Sequence, residues 1–170
     1  TKQRWYRHGH RLDAPIKARF GDLLNNLSQS KSINRNTVHV STAKVIVLDQ
    51  FSRHVFRGRS QAWDNDLQAQ QLSLAELDSE QYHHLTPSEQ LFLWHPLHHS
   101  EEVSLQSLGL NLLENLLAST TVEWQQALQG FMPAWQSHAA IIAEFGRFPH
   151  RNNLLGRVSS KKELLYLDQQ

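Results

Sequence analysis

Ser41 to Gly58 reads STAKVIVLDQFSRHVFRG, and the four consecutive apolar residues at its centre, Val45 to Leu48, decide the fold class. A short buried strand has this composition, but a strand needs a partner, and no other convincing strand exists in the chain to pair with it. A helix accounts for more of the stretch. Ser41 or Thr42 can cap orphan backbone amides, and Asp49, Arg53 and Phe56 continue the helical spacing past Phe51. The chain is therefore expected to be all-α.

Working outward, Phe56-Arg57-Gly58 makes a turn, Ser60 is a plausible cap, and Trp63, Leu67, Leu74 and Leu77 line the next helix. Upstream, Asp13 and Pro15 signal a helix start, and Ile16, Phe20, Leu23, Leu24 and Leu27 form one apolar stripe. Ser28 to Thr37 is polar and reads as a solvated connection. Downstream, Thr86-Pro87-Ser88-Glu89 is a strong start signal. Threonine caps, proline sits where its missing amide costs nothing, and Glu89 can reach back. Pro96 is expected to end or kink that helix. His99-Ser100-Glu101-Glu102 offers a further cap with acids in the first turn, ahead of Leu105, Leu108, Leu112, Leu113 and Leu116. Thr120 or Thr121 opens a shorter helix, interrupted by Gly130 and Pro133. Phe131, Trp135, His138, Ile142 and Phe145 form the next stripe, with Gly146 placed as its C-terminal cap. Ser160-Lys161-Lys162-Glu163 is a second capping box, starting a last helix. The whole reads as successive antiparallel helices joined by short turns.

The chain has 170 residues, a formal charge of +1, no cysteine and eleven histidines. That length fits a single domain over residues 1–170. Near-neutral charge, spread along the chain, speaks against nucleic-acid and acidic-membrane partners. The absence of cysteine removes disulfides and thiolate chemistry and fits a cytoplasmic protein. No apolar run approaches the roughly 20 residues that span a bilayer.

Phe145 to Arg157, FGRFPHRNNLLGR, packs three arginines, a histidine and two asparagines among large apolar side chains. A half-buried polar turn is the compromise, and it marks a candidate site. Phe51 to Gly58 echoes it, with Asp49 or Glu144 preceding a phenylalanine and two arginines.

Three segments together, VLDQFSRHVFRG, LFLWHPLHHSEE and IIAEFGRFPHRNNLLGR, resemble the uncharacterised bacterial family numbered nine hundred and twenty-four among the domains of unknown function. The resemblance implies a right-handed helical array like that of tetratricopeptide-repeat proteins, and no particular activity. It runs from Trp5 onward, while the family's usual opening, an aromatic helix before that tryptophan, is absent, so an upstream segment is expected. The family's pattern falls on Asp49, Gln50, Phe51, Arg53, Phe56, Arg57 and Gly58, on Glu89, Phe92, Pro96, His99, Ser100 and Glu101, and on Phe145 to Asn152 with Gly156 and Arg157. Ser52, His54, His95 and His98 depart from it.

Asp49, Gln50, Arg53, Arg57, Glu89, His99, Glu101, Arg147, His150, Arg151, Asn152 and Arg157 are the candidate ligand-binding residues. Arginine forks suit carboxylate or phosphate, so a small anionic molecule or an acidic peptide terminus is the first candidate partner. Asp49 and Arg53, four apart on one helix face, also read as a structural ion pair. The second possibility is a hydrolase with His99 or His150 as base, Ser100 as nucleophile and Glu101 as carboxylate. It lacks a glycine-framed serine elbow. The third is an interaction scaffold with a structural polar cluster. His95, His98 and His99 with Glu101 or Glu102 match no recognised ligand spacing, so neither metal nor cofactor is expected. Trp63, Trp94, Trp124 and Trp135 suit a core better than a peptide groove.

Overall fold

The computed structural model describes residues 9–30 and 37–169, all of them in helices, turns or loops and none in a strand. The all-α expectation holds. The expected connection falls partly at 31–36, outside the described residues, as does Trp5.

The chain divides into two compact units, residues 1–96 and 97–170. In the first, α1 (His10–Gln29) packs on a π-helical segment (Ile46–Phe51) and on α3 (Ser52–Val55), while α2 (Val38–Val45) packs on α4 (Asp66–Asp78). Ile16 and Leu24 of α1, Val45, Val47 and Leu48 of the central stretch, and Ala69 and Leu72 of α4 are buried. The expected start of the second helix moves forward. Thr37, not Ser41 or Thr42, caps it, its Oγ1 accepting from the Val40 amide at 3.4 Å. Thr42 instead donates to the Val38 carbonyl inside the helix. The first helix also starts earlier than Asp13, at His10, with Pro15 inside it. Asp13 is thereby released from capping.

Trp63 closes a short 3₁₀ turn (Ser60–Trp63) and lies outside α4, so Ser60 caps no α-helix. α5 (Pro87–His98) begins as expected, with the Thr86 amide and hydroxyl both donating to Glu89 Oε2, at 2.8 and 2.6 Å. Pro96 does not end this helix, which continues to His98.

In the second unit, α6 (Val103–Ser119) packs on α8 (Met132–Phe145), with α7 (Val122–Leu128) between them in sequence. Gly109 permits the close approach. A Cβ there would lie 3.2 Å from Trp135 Cζ3 and 3.3 Å from Leu97 Cβ. Trp94 and Trp135 are buried, as the core reading expects, while Trp63 and Trp124 are only half-buried. Gly146, at φ 69°, closes α8 by donating its amide to the Ile142 carbonyl at 2.8 Å. The last helix, α9 (Lys161–Leu167), has the full capping box. Ile141, Ile142 and Phe148, flanked by Phe145 and Tyr166, form the core under it.

Candidate functional site

The candidate residues fall into separate groups. Asp49, Gln50, Arg53, Arg57 and Glu89 belong to the first unit. His99, Ser100, Glu101, Arg147, His150, Arg151, Asn152 and Arg157 belong to the second.

In the first unit, the π segment sets the geometry. Wider turns leave carbonyls that side chains can reach. Ser52 Oγ donates to the Leu48 carbonyl and Arg53 Nη1 to the Asp49 carbonyl, both at 2.6 Å. Arg53 Nη1 also lies 3.0 Å from Asp49 Oδ1 and 3.0 Å from Asp66 Oδ1. Gln50 Nε2 donates to Asp49 Oδ2 at 2.5 Å. The spacing-based pair of Asp49 and Arg53 is therefore present, with Asp66 as a second carboxylate. Burial works against the Arg53 charge, but Asp49 and Asp66 more than offset it and hold the guanidinium above its ordinary value. His95 is buried, its Nδ1 donating to the Leu91 carbonyl at 2.8 Å. Burial holds this imidazole below its ordinary pKa, with the Leu91 carbonyl and Asp49 opposing.

Arg57 leaves that group. Its Nε and Nη2 grip the two oxygens of Asp13 at 2.6 and 2.8 Å, and His54 Nδ1 donates to the same carboxylate at 2.8 Å. Asp13 thus ties α1 to the turn after α3. Glu89 belongs to the start of α5, where it caps Thr86 and lies 3.3 Å from His39 Nδ1.

In the second unit, Glu101 and Glu163 organise the arginine-rich turn. Glu101 precedes α6 instead of sitting in its first turn. Its Oε2 accepts from Arg157 Nη1 at 2.6 Å, and its Oε1 from Arg157 Nη2 at 3.0 Å and the Phe148 amide at 2.8 Å. Glu163 accepts from Arg147 Nε and Nη2 at 2.7 and 2.9 Å, from Asn152 Nδ2 at 3.2 Å and from the Ser160 amide at 2.7 Å. Those donors, Arg147 first, hold the Glu163 carboxyl far below the usual carboxylate range. Arg147 Nη2 also donates to the Val158 carbonyl at 2.9 Å. Arg151 is buried, donates to the His99 carbonyl at 3.0 Å and lies 4.4 Å over the Phe148 ring. The echo between the two arginine stretches stops at sequence. Arg53 pairs with Asp49, but Glu144, its counterpart, pairs with Lys162 at 3.1 Å.

Of the residues proposed for hydrolysis, Ser100 and Glu101 have other duties. Ser100 is buried and its Oγ accepts from the Glu102 amide at 3.2 Å. His98 stacks on Trp135 at 4.9 Å and on His138 at 4.1 Å, and His138 Nδ1 donates to the His98 carbonyl. His150 is exposed. The burial it retains, with Arg151 beside it, holds its imidazole below the ordinary value. Among the described residues, no group of three or more His, Asp or Glu is placed to hold a metal ion.

Sequence reasoning missed Asp13, Asp66 and Glu163 as arginine partners. Asp13 and Glu163 were visible only as helix-start residues, and nothing local marks Asp66.

These features define an all-helical protein in which Arg53, Arg57, Arg147 and Arg157 are each paired with a carboxylate of their own unit. Over residues 1–170 the chain matches the model of a family described as bacterial protein of unknown function (DUF924), and it belongs to that family. A solved structure of a protein of unknown function from Agrobacterium tumefaciens is similar, with a TM-score of 0.74 at 23% identity. The match covers 95% of this chain and 86% of that one, and shows a shared fold. No curated protein matches the chain. Among the described residues, no helix is long and apolar enough to cross a membrane.

Proposed function

We propose that the chain is a cytoplasmic, non-catalytic interaction domain, in which the arginine, histidine and acid groups hold local structure and partners meet other surfaces. One observation carries this reading. Arg53, Arg57, Arg147 and Arg157 are each already engaged by a carboxylate of their own unit. An anion entering at Arg157 would have to displace Glu101, which also serves the Phe148 amide. Displacement would strip two donors to satisfy one ligand, and the uncovered carboxylate would repel that ligand. A small-anion site at these guanidinium groups is therefore disfavoured relative to a structural role. The hydrolase reading is weakened by the same logic, because the Ser100 hydroxyl and the Glu101 carboxylate both hold backbone amides.

The test is a thermal-shift screen of the chain with phosphate, pyrophosphate and citrate, beside an Arg157→Lys variant. A ligand confined to the native state adds about 2.7 kcal/mol of stability at a hundredfold excess over its Kd. The expected result is no anion-specific rise. A rise with one anion class that disappears in a still-folded Arg157→Lys variant overturns the proposal.

A further inference from the structure

α1 is a long helix with little of its own to hold it. Gly9 gives its start no side-chain cap, no basic residue sits in its last turn, and Pro15 lies inside it. A proline past the first turn leaves the Arg11 carbonyl without its helical donor. Gly21 follows at mid-helix, where a Cβ would meet nothing within 4 Å, so packing does not call for glycine there. Both residues lower helix propensity. Burial adds little, since Ile16 and Leu24 are the buried residues of the twenty. α5, by contrast, is buried without a break from Leu93 to His98.

What α1 lacks internally is supplied at both ends by other elements of the first unit. At its start, Asp13 accepts from Arg57 Nε and Nη2 at 2.6 and 2.8 Å and from His54 Nδ1 at 2.8 Å. At its end, Gln68 of α4 donates from Nε2 to the Leu27 and Ser30 carbonyls at 3.3 and 2.9 Å. Between these ties Phe20 meets Phe51 of the π segment, with ring centroids 4.8 Å apart. Asp13 is 25% exposed and Arg57 50%, so dissolved ions reach the first tie and screen it.

We infer that α1 is a releasable strap, tied at Asp13 and at the Leu27 and Ser30 carbonyls, which lifts from the π segment and α3 as one piece while the rest of the first unit stays folded. An element opens separately when its buried apolar contacts are few and its backbone bonds face water. α1 meets both conditions, and its own sequence does not restore the helix. Release uncovers the side of Phe51 that Phe20 covers, so that surface exists only in the opened form. Screening or neutralising Asp13 frees the starting end, which makes the opening sensitive to ionic strength.

The test is native-state hydrogen exchange of the whole chain, followed residue by residue by NMR at low and high salt. The amides from residue 16 to residue 29 are expected to share one opening, at least about tenfold more populated than the openings of residues 38–55 and 66–78. Asp13→Asn should raise the α1 opening about fivefold, abolish most of its salt dependence and leave residues 66–78 unchanged. Gly21→Ala should lower the same opening about fivefold, because alanine favours the helix and its Cβ meets no neighbour. Exchange of α1 in step with residues 38–55 overturns the inference, as does progressive fraying from one end in place of a shared opening. So does an Asp13→Asn chain that loses its whole fold, since a strap must be separable from what it covers.

Discussion

Replacing Glu101 by glutamine tests whether the arginine-rich turn is held by its carboxylate. Glu101 is 27% exposed and Arg157 is 23% exposed, so their pair lies between the two measured limits. An exposed pair contributes about 0–1 kcal/mol, whereas breaking a buried one costs about 3–5 kcal/mol. Solvent screening moves this site below the buried range. The Phe148 amide and the second Arg157 bond move it above the exposed one. Glutamine keeps the shape, but it removes the charge and turns one acceptor into a donor facing a guanidinium. A loss of about 2–3 kcal/mol follows, and at roughly 2–4 °C per kcal/mol for a chain of this length Tm should fall about 4–12 °C. Thermal unfolding by circular dichroism provides the readout, with Glu102→Gln as an exposed neighbouring control. A Glu101→Gln variant as stable as that control would refute the reasoning.

The same carboxyl predicts an acid limb. Burial pushes its pKa up, but the bonds from Arg157 and the Phe148 amide, with the charges of Arg157 and Arg151, hold it below the ordinary range. The unfolded chain therefore takes up the proton first as pH falls. The contribution is complete above about pH 4.3, the ordinary glutamate value, and fades as pH falls through the lower folded value. In Glu101→Gln that part of the stability–pH slope should vanish.

His95 titrates with the opposite charge but also favours higher pH. Burial depresses its folded pKa, so the unfolded imidazole protonates first and stability should fall as pH drops from about 6.5 toward the folded value. Urea titrations should show this slope in the native chain and lose it in His95→Gln. Ser160→Ala removes the acceptor of the Glu163 amide and should cost about 1 kcal/mol, while Ser160→Thr stays within about 0.5 kcal/mol of native stability. An alanine variant as stable as the threonine one would deny the cap its role.

What could be read from sequence was what acts over a turn or two of helix. The boxes at Thr86–Glu89 and Ser160–Glu163, the glycine stop at 146 and the Asp49–Arg53 pair all join residues at most four apart. The helix reading of Val45 to Leu48 succeeded on the absence of any partner strand. The pairings that build the turn are of another kind. Arg157 meets Glu101 across 56 residues and Arg57 meets Asp13 across 44. No local spacing encodes such contacts, and a surplus of arginines in one stretch looks like an anion site until the distant acids are placed. The helix end expected as one outcome at Pro96 did not follow, for a related reason. Proline removes one donor from a helix, but packing around buried residues such as Trp94 and Leu97 can hold the turn regardless.

The π segment from Ile46 to Phe51 acts as a phase offset between α2 and α3. Its wider turns advance the chain without advancing the helical phase at the α-helical rate. Deleting a single residue here would let the segment close into ordinary α-helical turns, leaving α2 and α3 nearly in phase but removing the wide turn from which Ser52 and Arg53 reach the Leu48 and Asp49 carbonyls. Conservative substitutions there should be tolerated far better than a one-residue deletion.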